Sequence, residues 1–502
     1  MKNITRIIIA LLILAMTLPM ALACAETAPQ EEETTAPAIT EAPSATDAPV
    51  ETTAEETLFV PSNIPENLRF DGTTINILHR TDSNRNEFFV EDQNGESVND
   101  AVFRKNANVQ EQFGVTLEFY GIPGAYEQQK DFVNTCINSL QAGADAYDLF
   151  CGYSMTGATL AVEGAVQDMT QYPILEFDKP WWPESLISKA TINDGIYFAS
   201  GDIAPSFLYM MYLIVFNKDL FTDFHKLQAN DLYSLVYDGK WTIDRLIEFT
   251  QGVYLDQDGD NSSSEADRYG LVITTVPFDS FYTASDLYTV ELDKDGAFVM
   301  SDDLFSQKTV DLLDKVCNLL HTSGDAYIKT DTAHFKTGNS LFIIQAASIT
   351  ANHLTDVDFT YGVLPMPKYS DDQENYRTAL SFPYTMYMIS ASAPDAEAAA
   401  ATIELLAYQS YVNVTPAIFE ESMKLRYADQ SDDAFMFDII RENVVIDIGR
   451  LLTTQLDNMS FSIFRNAVNN NTAGSYMSAQ KVYQKNFAKK LETITKKLDD
   501  LK

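Results

Sequence analysis

From residue 74 onward, short apolar runs that predict strands alternate with amphipathic segments that predict helices. Residues 74–78 predict a strand, residues 98–113 a helix, and residues 115–119 a second strand. The same rhythm returns in the middle of the chain, where residues 212–216 and 341–344 predict further strands. Strands that alternate with helices form largely parallel sheets covered by helices, so the predicted fold class is α/β.

The N-terminus has the pattern of a secretory signal. Two basic residues precede an uncharged apolar run over residues 7–23, which ends in Ala-Leu-Ala before Cys24. These features define a signal peptide, so residues 1–23 are expected to be removed. The cleavage motif resembles a bacterial lipobox, which makes the thiol of Cys24 the expected site of lipidation. Ala21 stands where leucine is usual, and this leaves ordinary secretion as the alternative.

The segment after Cys24 predicts a tether. Residues 25–58 are almost wholly Ala, Thr, Pro, Ser and Glu, with nine acidic residues and no basic one. Without aromatic or many aliphatic side chains to bury, such a segment cannot offset its ordering entropy. Residues 24–58 are therefore expected to be a lipidated cysteine and a disordered tether that holds a folded head away from a membrane. A low-complexity tail without a role is the alternative.

Charge and cysteine content exclude several classes. The net charge is −38, which repels nucleic acid and argues against a DNA or RNA partner. The apolar run at residues 207–216 is too short to cross a bilayer and predicts a buried strand. With Cys24 lipidated, Cys136, Cys151 and Cys317 leave no complete disulfide framework and are expected to be buried small hydrophobes.

A series of short motifs follows one another along the chain. They are the strand–helix opening at 75–119, Y-D-L-F-C-G-Y at 147–153, E-G-A-V-Q-D at 163–168, G-I-Y-F-A-S-G-D at 195–202, V-F-N-K-D-L at 215–220, D-G-K-W-T at 238–242, F-K-T-G at 335–338 and Y-G-V-L-P-M-P at 361–367. Each is weak alone, but their order and spacing resemble the extracellular solute-binding proteins of bacterial ABC importers, in the sugar-type group that includes maltose-binding protein.

The resemblance implies a two-lobed periplasmic-binding-protein-like fold of type II, with lobes joined by a hinge of crossing segments. Lobe 1 would comprise residues 59–210 and 362–412, and lobe 2 residues 211–361 and 413–502. The chain would cross between lobes near residues 209–213, 361–366 and 411–414. A few residues at element ends can absorb the dihedral changes by which rigid lobes close on a ligand.

The resemblance also implies a function. The chain would be a lipid-anchored receptor at the extracellular face of the cell membrane. It would capture a small polar solute, above all a sugar or oligosaccharide, and deliver it to ABC transporter permease subunits. No catalytic residue or catalytic cofactor is expected, because the sequence contains no metalloprotease, serine-hydrolase or P-loop motif. Abundant carboxylates keep an anchored glycan-active enzyme open, and a ligand-sensing receptor domain is the third alternative.

The predicted ligand-binding residues follow from two rules. Ligands in α/β sheets lie beyond the carboxyl ends of strands, and sugars need flat aromatic faces beside a few polar groups. The set is His79, Arg80, Tyr153, Ser154, Trp181, Trp182, Asp202, Tyr209, Gln345 and Tyr384. Phe382 is expected to border the cleft, and Phe461 is equally consistent with the core. For the adjacent tryptophans, a loop anchored to the lobe surface is an equal alternative.

An acidic loop at residues 256–267 predicts a structural calcium site. Oxygen ligands fall at the first, third, fifth, seventh, ninth and twelfth positions of a twelve-residue loop. They are Asp256, Asp258, Asp260, Ser262 through its backbone carbonyl, Ser264 and Asp267. Asn261 occupies the sixth position, which requires a positive φ. Asp267 is shorter than the glutamate usual at the last position, so a solvated hairpin tip is the alternative.

Overall fold

Two main β-sheets organise the part of the chain that the structure describes. This computed structural model describes residues 59–499 apart from 83–86, 144, 193, 295, 330–331 and 420–430. The predicted signal peptide, Cys24 and the tether lie outside the described residues. None of the described helices is both long and apolar enough to cross a membrane.

The strands and helices are defined as follows. Within the described residues the strands are β1 (Thr74–Arg80), β2 (Thr116–Ile122), β3 (Leu149–Tyr153), β4 (Thr191–Ile192), β5 (Gly195–Ile196), β6 (Tyr212–Asn217), β7 (Tyr269–Val272), β8 (Val290–Leu292), β9 (Phe298–Met300), β10 (Ala326–Tyr327), β11 (Ser340–Ala346), β12 (Tyr361–Leu364) and β13 (Thr385–Ile389). The α-helices are α1 (Ser97–Phe113), α2 (Gln129–Gln141), α3 (Thr156–Val162), α4 (Glu184–Ala190), α5 (Pro205–Tyr209), α6 (Lys218–His225), α7 (Ala229–Tyr237), α8 (Ile243–Thr250), α9 (Ser280–Ala284), α10 (Gln307–Cys317), α11 (Thr332–Phe335), α12 (Ser348–Asn352), α13 (Ala396–Gln409), α14 (Ser431–Glu442), α15 (Ile448–Leu451), α16 (Met459–Asn469) and α17 (Gln480–Asp499).

The first sheet forms the core of lobe 1 and has the order β13-β3-β1-β2. The strands β1, β2 and β3 are parallel, while β13 pairs antiparallel with β3. Helix α1 connects β1 to β2: its first turn is capped by the Glu96 side chain, and it ends at Gly114 with φ 70°. Glycine is suited to this left-handed position because it has no Cβ to clash. The sequence thus gives a parallel α/β unit in which β1 and β3 end at the same edge.

The second sheet forms the core of lobe 2 and has the order β10-β7-β11-β6-β12. The strand β6 is antiparallel to both β11 and β12, whereas β7 is parallel to β10 and β11. The strands β6 and β13 are the first strands after a crossing between lobes. In each sheet, this strand is antiparallel to the strands with which it pairs. The predicted strand at 207–216 is only partly correct, because α5 occupies its first residues and β6 begins at Tyr212.

Two crossing segments lie side by side and are hydrogen-bonded. The N–H of Tyr212 donates to the carbonyl of Ala379 at 2.9 Å, and the N–H of Ser381 donates to that of Met210 at 2.7 Å. The first crossing is therefore at residues 210–212. The paired backbone makes a narrow two-stranded strap between the sheets.

The return crossing lies later than predicted. Residues 361–364 pair with β6 inside the second sheet, and Lys368 bridges to Thr242 in lobe 2. The chain reaches the strap only at residues 379–381, so residues 362–378 belong with lobe 2. The prediction placed this crossing at the Y-G-V-L-P-M-P motif of residues 361–367. Pairing with the first crossing depends on residues distant in the chain, which a local motif does not encode.

The third crossing also lies later than predicted. Residues 410–414 continue helix α13 as a π-helical turn that packs against α1 of lobe 1. The next described helix, α14, packs against β12 and α7 of lobe 2. The chain therefore changes lobes after residue 414, and the ring of Phe419 already lies beside that of Phe437 on α14.

Buried cysteines and the C-terminal helix complete the packing. Cys136, Cys151 and Cys317 are free and buried, which confirms their predicted role as small core residues. Helix α17 packs against β9 of lobe 2 and also contacts α3 of lobe 1. Lys497 of α17 lies 2.8 Å from the carboxylate of Glu163, just after α3. The last helix thus bridges the two lobes at a site away from the strap.

Candidate functional site

A small apolar cluster separate from the main core lies where the lobes meet. Tyr153 and Met155 follow from the carboxyl end of β3, and Phe382 lies on the return crossing beside them. Phe461 of α16 in lobe 2 is only partly buried and packs on this group, with its ring centroid 5.4 Å from that of Phe382. Aromatic faces from both lobes therefore meet at the strand ends, where the fold class predicts a ligand site.

Two arginines cover these rings. The guanidinium carbon of Arg450 lies 4.0 Å from the ring centroid of Phe382, and that of Arg465 lies 4.3 Å from that of Phe461. Both guanidiniums pair with the carboxylate of Asp279, which is only 4% exposed. Burial alone would raise the pKa of Asp279, but Arg450 and Arg465 outweigh it and hold the pKa below its ordinary value.

These side chains are linked by the contacts above, and we call them the junction cluster. Its members are Tyr153, Phe382 and Phe461 with Asp279, Arg450 and Arg465. Flat apolar faces beside fixed charged donors suit a ring that has C–H faces and hydroxyl edges. Asp279 stays ionised near neutral pH because its pKa is low, so it is unsuited to act as a general acid.

Arg80 lies at the end of β1 and fastens the return crossing. Its Nε donates to Thr385 Oγ1 at 3.0 Å, its Nη2 to the carbonyl of Pro383 at 2.7 Å, and its Nη1 to Asp82 at 3.0 Å. Its guanidinium carbon also lies 5.5 Å from the ring centroid of Tyr153. Because Arg80 is only 1% exposed, its place is beneath the cluster, where it positions Tyr153 and the strap.

Ser154 and Tyr384 have similar supporting contacts. Ser154 Oγ donates to the carbonyl of Phe382 at 2.6 Å. The ring of Tyr384 packs edge-on against Phe207 at 5.6 Å, and burial raises the pKa of its hydroxyl group. Both residues lie at the lobe junction, where these contacts hold the aromatic cluster in place.

Asp202 joins the first crossing to lobe 2. Its carboxylate accepts from Nη2 of Arg441 on α14 at 3.0 and 3.1 Å. Burial raises the pKa of Asp202 above its ordinary value, and the nearby Arg441 offsets only part of that effect. The charged residue that the sequence singled out near the hinge is therefore in an ion pair between the lobes.

The adjacent tryptophans are placed away from this site, which corrects the prediction that one faces the cleft. Trp181 and Trp182 are 0% and 2% exposed. Their Nε1 atoms donate to the two carboxylate oxygens of Glu404 at 2.8 and 3.0 Å. The pair anchors its loop to α13 inside lobe 1, which was the alternative interpretation.

The remaining predicted ligand residues have other surroundings. His79 is on the opposite face of β1 from Arg80 because strand side chains alternate, and its ring lies 4.5 Å from that of Phe88. Gln345 Oε1 accepts from the N–H of Ala346 at 3.0 Å near the end of β11. Tyr209 is buried in α5 on the first crossing. These three are not members of the junction cluster.

The sequence did not reveal the charged half of the junction cluster. Asp279, Arg450 and Arg465 lie in segments without a strand-end signal or a motif. Tyr126 was also missed: it is 40% exposed on the loop after β2, and its hydroxyl lies 3.4 Å from Asn458 Nδ2 of lobe 2. Its position just beyond a predicted strand was the one available signal.

The acidic loop has a turn geometry that brings three carboxylates together. Oxygen atoms of Asp256, Asp258 and Asp260 lie within 4.8 Å of one another. Asn261 has φ 59°, as the sixth position requires. Burial alone would raise the pKa of Asp267, but N–H groups of the loop donate to its carboxylate and hold the pKa below its ordinary value. These donors include Gln257 and Ser264, so Asp267 braces the loop.

The structure is similar to solved solute-binding proteins. One is a cyclic α-maltosyl-1,6-maltose binding protein from Arthrobacter globiformis, with a TM-score of 0.54 and 14% identity over 85% of this chain and 99% of that one. A second is the maltose–maltodextrin binding protein of Alicyclobacillus acidocaldarius, with a TM-score of 0.52 and 12% identity over 83% and 100%. A third is an ABC substrate-binding protein from Listeria monocytogenes in complex with cycloalternan, with a TM-score of 0.51 and 15% identity over 86% and 100%.

These similarities extend over nearly the whole length of the solved chains. No protein-family description matches the sequence, and no curated protein matches it. The likeness is therefore one of structure at low sequence identity. Together with the two sheets, the antiparallel strand after each crossing and the paired strap, it shows that the chain has the two-lobed type II fold of ABC solute-binding proteins.

Proposed function

We propose that this protein is an extracellular solute receptor that binds a sugar or oligosaccharide between its lobes and delivers it unchanged to an ABC permease. The junction cluster is the observation that carries the proposal. It places aromatic faces from lobe 1, the return crossing and lobe 2 around fixed guanidinium donors. The similar maltose–maltodextrin binding protein and the similar substrate-binding protein in complex with cycloalternan support sugars as the ligand class.

The position of the cluster suits capture by closure. Phe382 directly follows the strap, while Phe461 is on α16 of lobe 2 and Tyr153 is at the end of β3 in lobe 1. A rotation of the lobes about residues 210–212 and 379–381 would change the distance between the rings of Tyr153 and Phe461. A ligand that contacts both of them would favour the closed arrangement, because only that arrangement offers both contacts.

The proposal includes attachment to the membrane. Lipidation of Cys24 would place the receptor at the extracellular face, and the acidic tether would keep the lobes clear of anionic lipid headgroups. Metabolic labelling with a fatty-acid analogue should mark the intact precursor expressed in a bacterial host, while Cys24→Ser should abolish the label. Labelling that persists in Cys24→Ser would assign the anchor to another residue.

We also propose that the acidic loop holds a structural calcium ion. The carboxylates of Asp256, Asp258 and Asp260 supply the hard oxygen ligands that calcium prefers. The loop is fastened to β7 and its neighbours, where Tyr269 donates to the carbonyl of Ser264 at 2.9 Å. An ion there would brace lobe 2 without contact with the junction cluster.

A ligand screen tests the receptor function against the enzyme alternative. The folded chain should show a saturable thermal shift with one class of oligosaccharide, and chromatography of the same mixture should return the sugar intact. Cleaved product would favour the glycan-active enzyme. A matched Phe461→Ala sample should lose most of the shift, whereas Phe435→Ala should retain it, because Phe435 is 59% exposed on α14.

A further inference from the structure

The junction cluster carries a surplus positive charge, although the chain as a whole is strongly acidic. Two guanidiniums, from Arg450 and Arg465, share the single carboxylate of Asp279. By contrast, four other ion pairs of the described residues each join one cation with one carboxylate. They are Arg80 with Asp82, Arg441 with Asp202, Lys490 with Asp457, and Lys497 with Glu163. The cluster itself therefore holds two cations and one carboxylate. A further buried carboxylate, that of Asp447, accepts from Thr289 and Gly449 and interacts with Arg450, which leaves Arg465 as the second cation beside the rings.

The geometry assigns this surplus to Arg465. Both oxygens of Asp279 are occupied, Oδ2 by Arg450 and Oδ1 by Nε and Nη2 of Arg465. Arg450 also donates to the carbonyl of Leu380 at 2.9 Å, which fixes it to the strap. Nη1 of Arg465 has no hydrogen-bond partner among the described residues, and the side chain is 17% exposed. The guanidinium of Arg465 is therefore fixed by Asp279 and still has N–H donors at Nη1 for a ligand.

We propose that the solute is an acidic sugar, whose anionic substituent pairs with Arg465 while its ring lies against Phe461. This inference rests on the proposed function and narrows its ligand class. A guanidinium presents a planar fork that binds carboxylate, sulfate and phosphate groups through paired hydrogen bonds. Arg465 covers one face of the Phe461 ring, and the ring is only partly buried, so its remaining surface supplies the apolar contact that a sugar requires.

The negative net charge of the chain does not prevent an acidic sugar from binding. The net charge of −38 is spread over the whole chain, and at physiological salt the Debye length is about 8 Å. Charges on distant surfaces are largely screened at the junction, whereas a direct contact with a partly buried guanidinium is not. The local surplus therefore decides the sign of the interaction, and the acidic surface chiefly lowers the association rate.

Uronate oligomers and their methyl esters provide a matched test, because esterification removes the charge and keeps the ring. Galacturonate, glucuronate, mannuronate and guluronate oligomers would be titrated calorimetrically beside their esters, with sulfated and phosphorylated sugars as further arms. At least one acid should bind about tenfold more tightly than its neutral counterpart, since a charged hydrogen bond replaces a weaker one. The arm with the tightest binding identifies the anionic group.

Variants of Arg465 test whether this residue causes the preference for the acid over its ester. Arg465→Gln should bring acid and ester within about twofold of each other, and Arg465→Lys should retain an intermediate preference because it keeps the charge but loses the fork. Arg245→Gln, at an exposed arginine on α8, is the control and should behave as the unmodified protein.

Three outcomes separate the two proposals. Esters or other neutral oligosaccharides that bind at least as tightly as every acid would overturn the inference and leave the receptor function standing. A preference that survives Arg465→Gln would overturn the assignment to that residue. Sugar cleavage, or no binding by any charged or neutral sugar, would overturn the proposed function and the inference with it.

Discussion

The carboxyl group of Glu404 gives the sharpest prediction about the interior of lobe 1. Its two oxygens accept from Trp181 and Trp182, and one also accepts from the N–H of Glu176 at 3.2 Å. Burial raises its pKa from 4.5 to about 7, and the three hydrogen bonds offset only part of that rise. The protein should therefore take up a proton at Glu404 between pH 8 and pH 5.

The sign and size of the stability change follow from linkage. Because the folded-state pKa is raised, the folded state binds more protons than the unfolded state between pH 4.5 and about 7. This contribution to stability is fully present below pH 4.5 and is lost as the pH rises to about 7. The shift corresponds to about 3 kcal/mol, or about 3 °C in Tm for a folded unit of this size.

Glu404→Gln isolates this contribution. The amide keeps one acceptor but turns an NH₂ group toward an indole N–H, so at pH 5 the variant should melt lower than the unmodified protein. By pH 8 the difference should shrink by about 3 °C, because only the unmodified protein has lost stability through Glu404. Glu492→Gln, which removes an exposed carboxylate on α17, is the control and should show no such convergence.

Tryptophan fluorescence measures the titration directly. Two of the chain's three tryptophans contact Glu404, so the emission should change with a midpoint near pH 7 in the unmodified protein. The change should be absent in Glu404→Gln. An emission that is flat from pH 5 to pH 9, or a transition that persists in the variant, would refute the assignment of this carboxyl group.

Three further predictions concern the junction and the acidic loop. Phe461→Ala should weaken the binding of the sugar found in the ligand screen about tenfold, because one aromatic face is lost, and calorimetry measures this; unchanged affinity would place the ligand elsewhere. Asp279→Asn should destabilise the fold by about 3 kcal/mol, since two largely buried guanidiniums lose their shared carboxylate, and adding Arg465→Gln should restore part of the Tm; no restoration would contradict the pairing. Asp256→Ala with Asp258→Ala should lower the Tm in calcium and leave sugar affinity nearly intact; identical melting of the unmodified protein in calcium and in chelator would remove the metal ion.

Local signals predicted the secondary structure well. The predicted helix at 98–113 and the predicted strand at 212–216 agree with α1 and β6 to within one residue at each end. Thr242 caps α8 by accepting from the N–H of Arg245, as its hydroxyl group and its position before the helix favour. Apolar periodicity and caps act within a few residues, so they are visible in a single sequence.

The lobe boundaries and the site depend on contacts distant in the chain. Arg450 and Arg465 meet Asp279 across 171 and 186 residues, and Trp181 meets Glu404 across 223. Only the fold brings these groups together, and each alone looks like an ordinary surface or core residue. The sequence therefore indicated that Arg80 and Tyr153 lie at strand ends, but not the charges that complete the cluster.

Small-angle X-ray scattering across a ligand titration tests the central claim, that two lobes close over a sugar and release it unchanged. The probe is the oligosaccharide that gives the largest thermal shift, and the sample is the chain from residue 59. Saturation should lower the radius of gyration, and removal of the sugar by dialysis should restore it. A radius that stays constant while calorimetry shows the site filled would contradict closure about the strap.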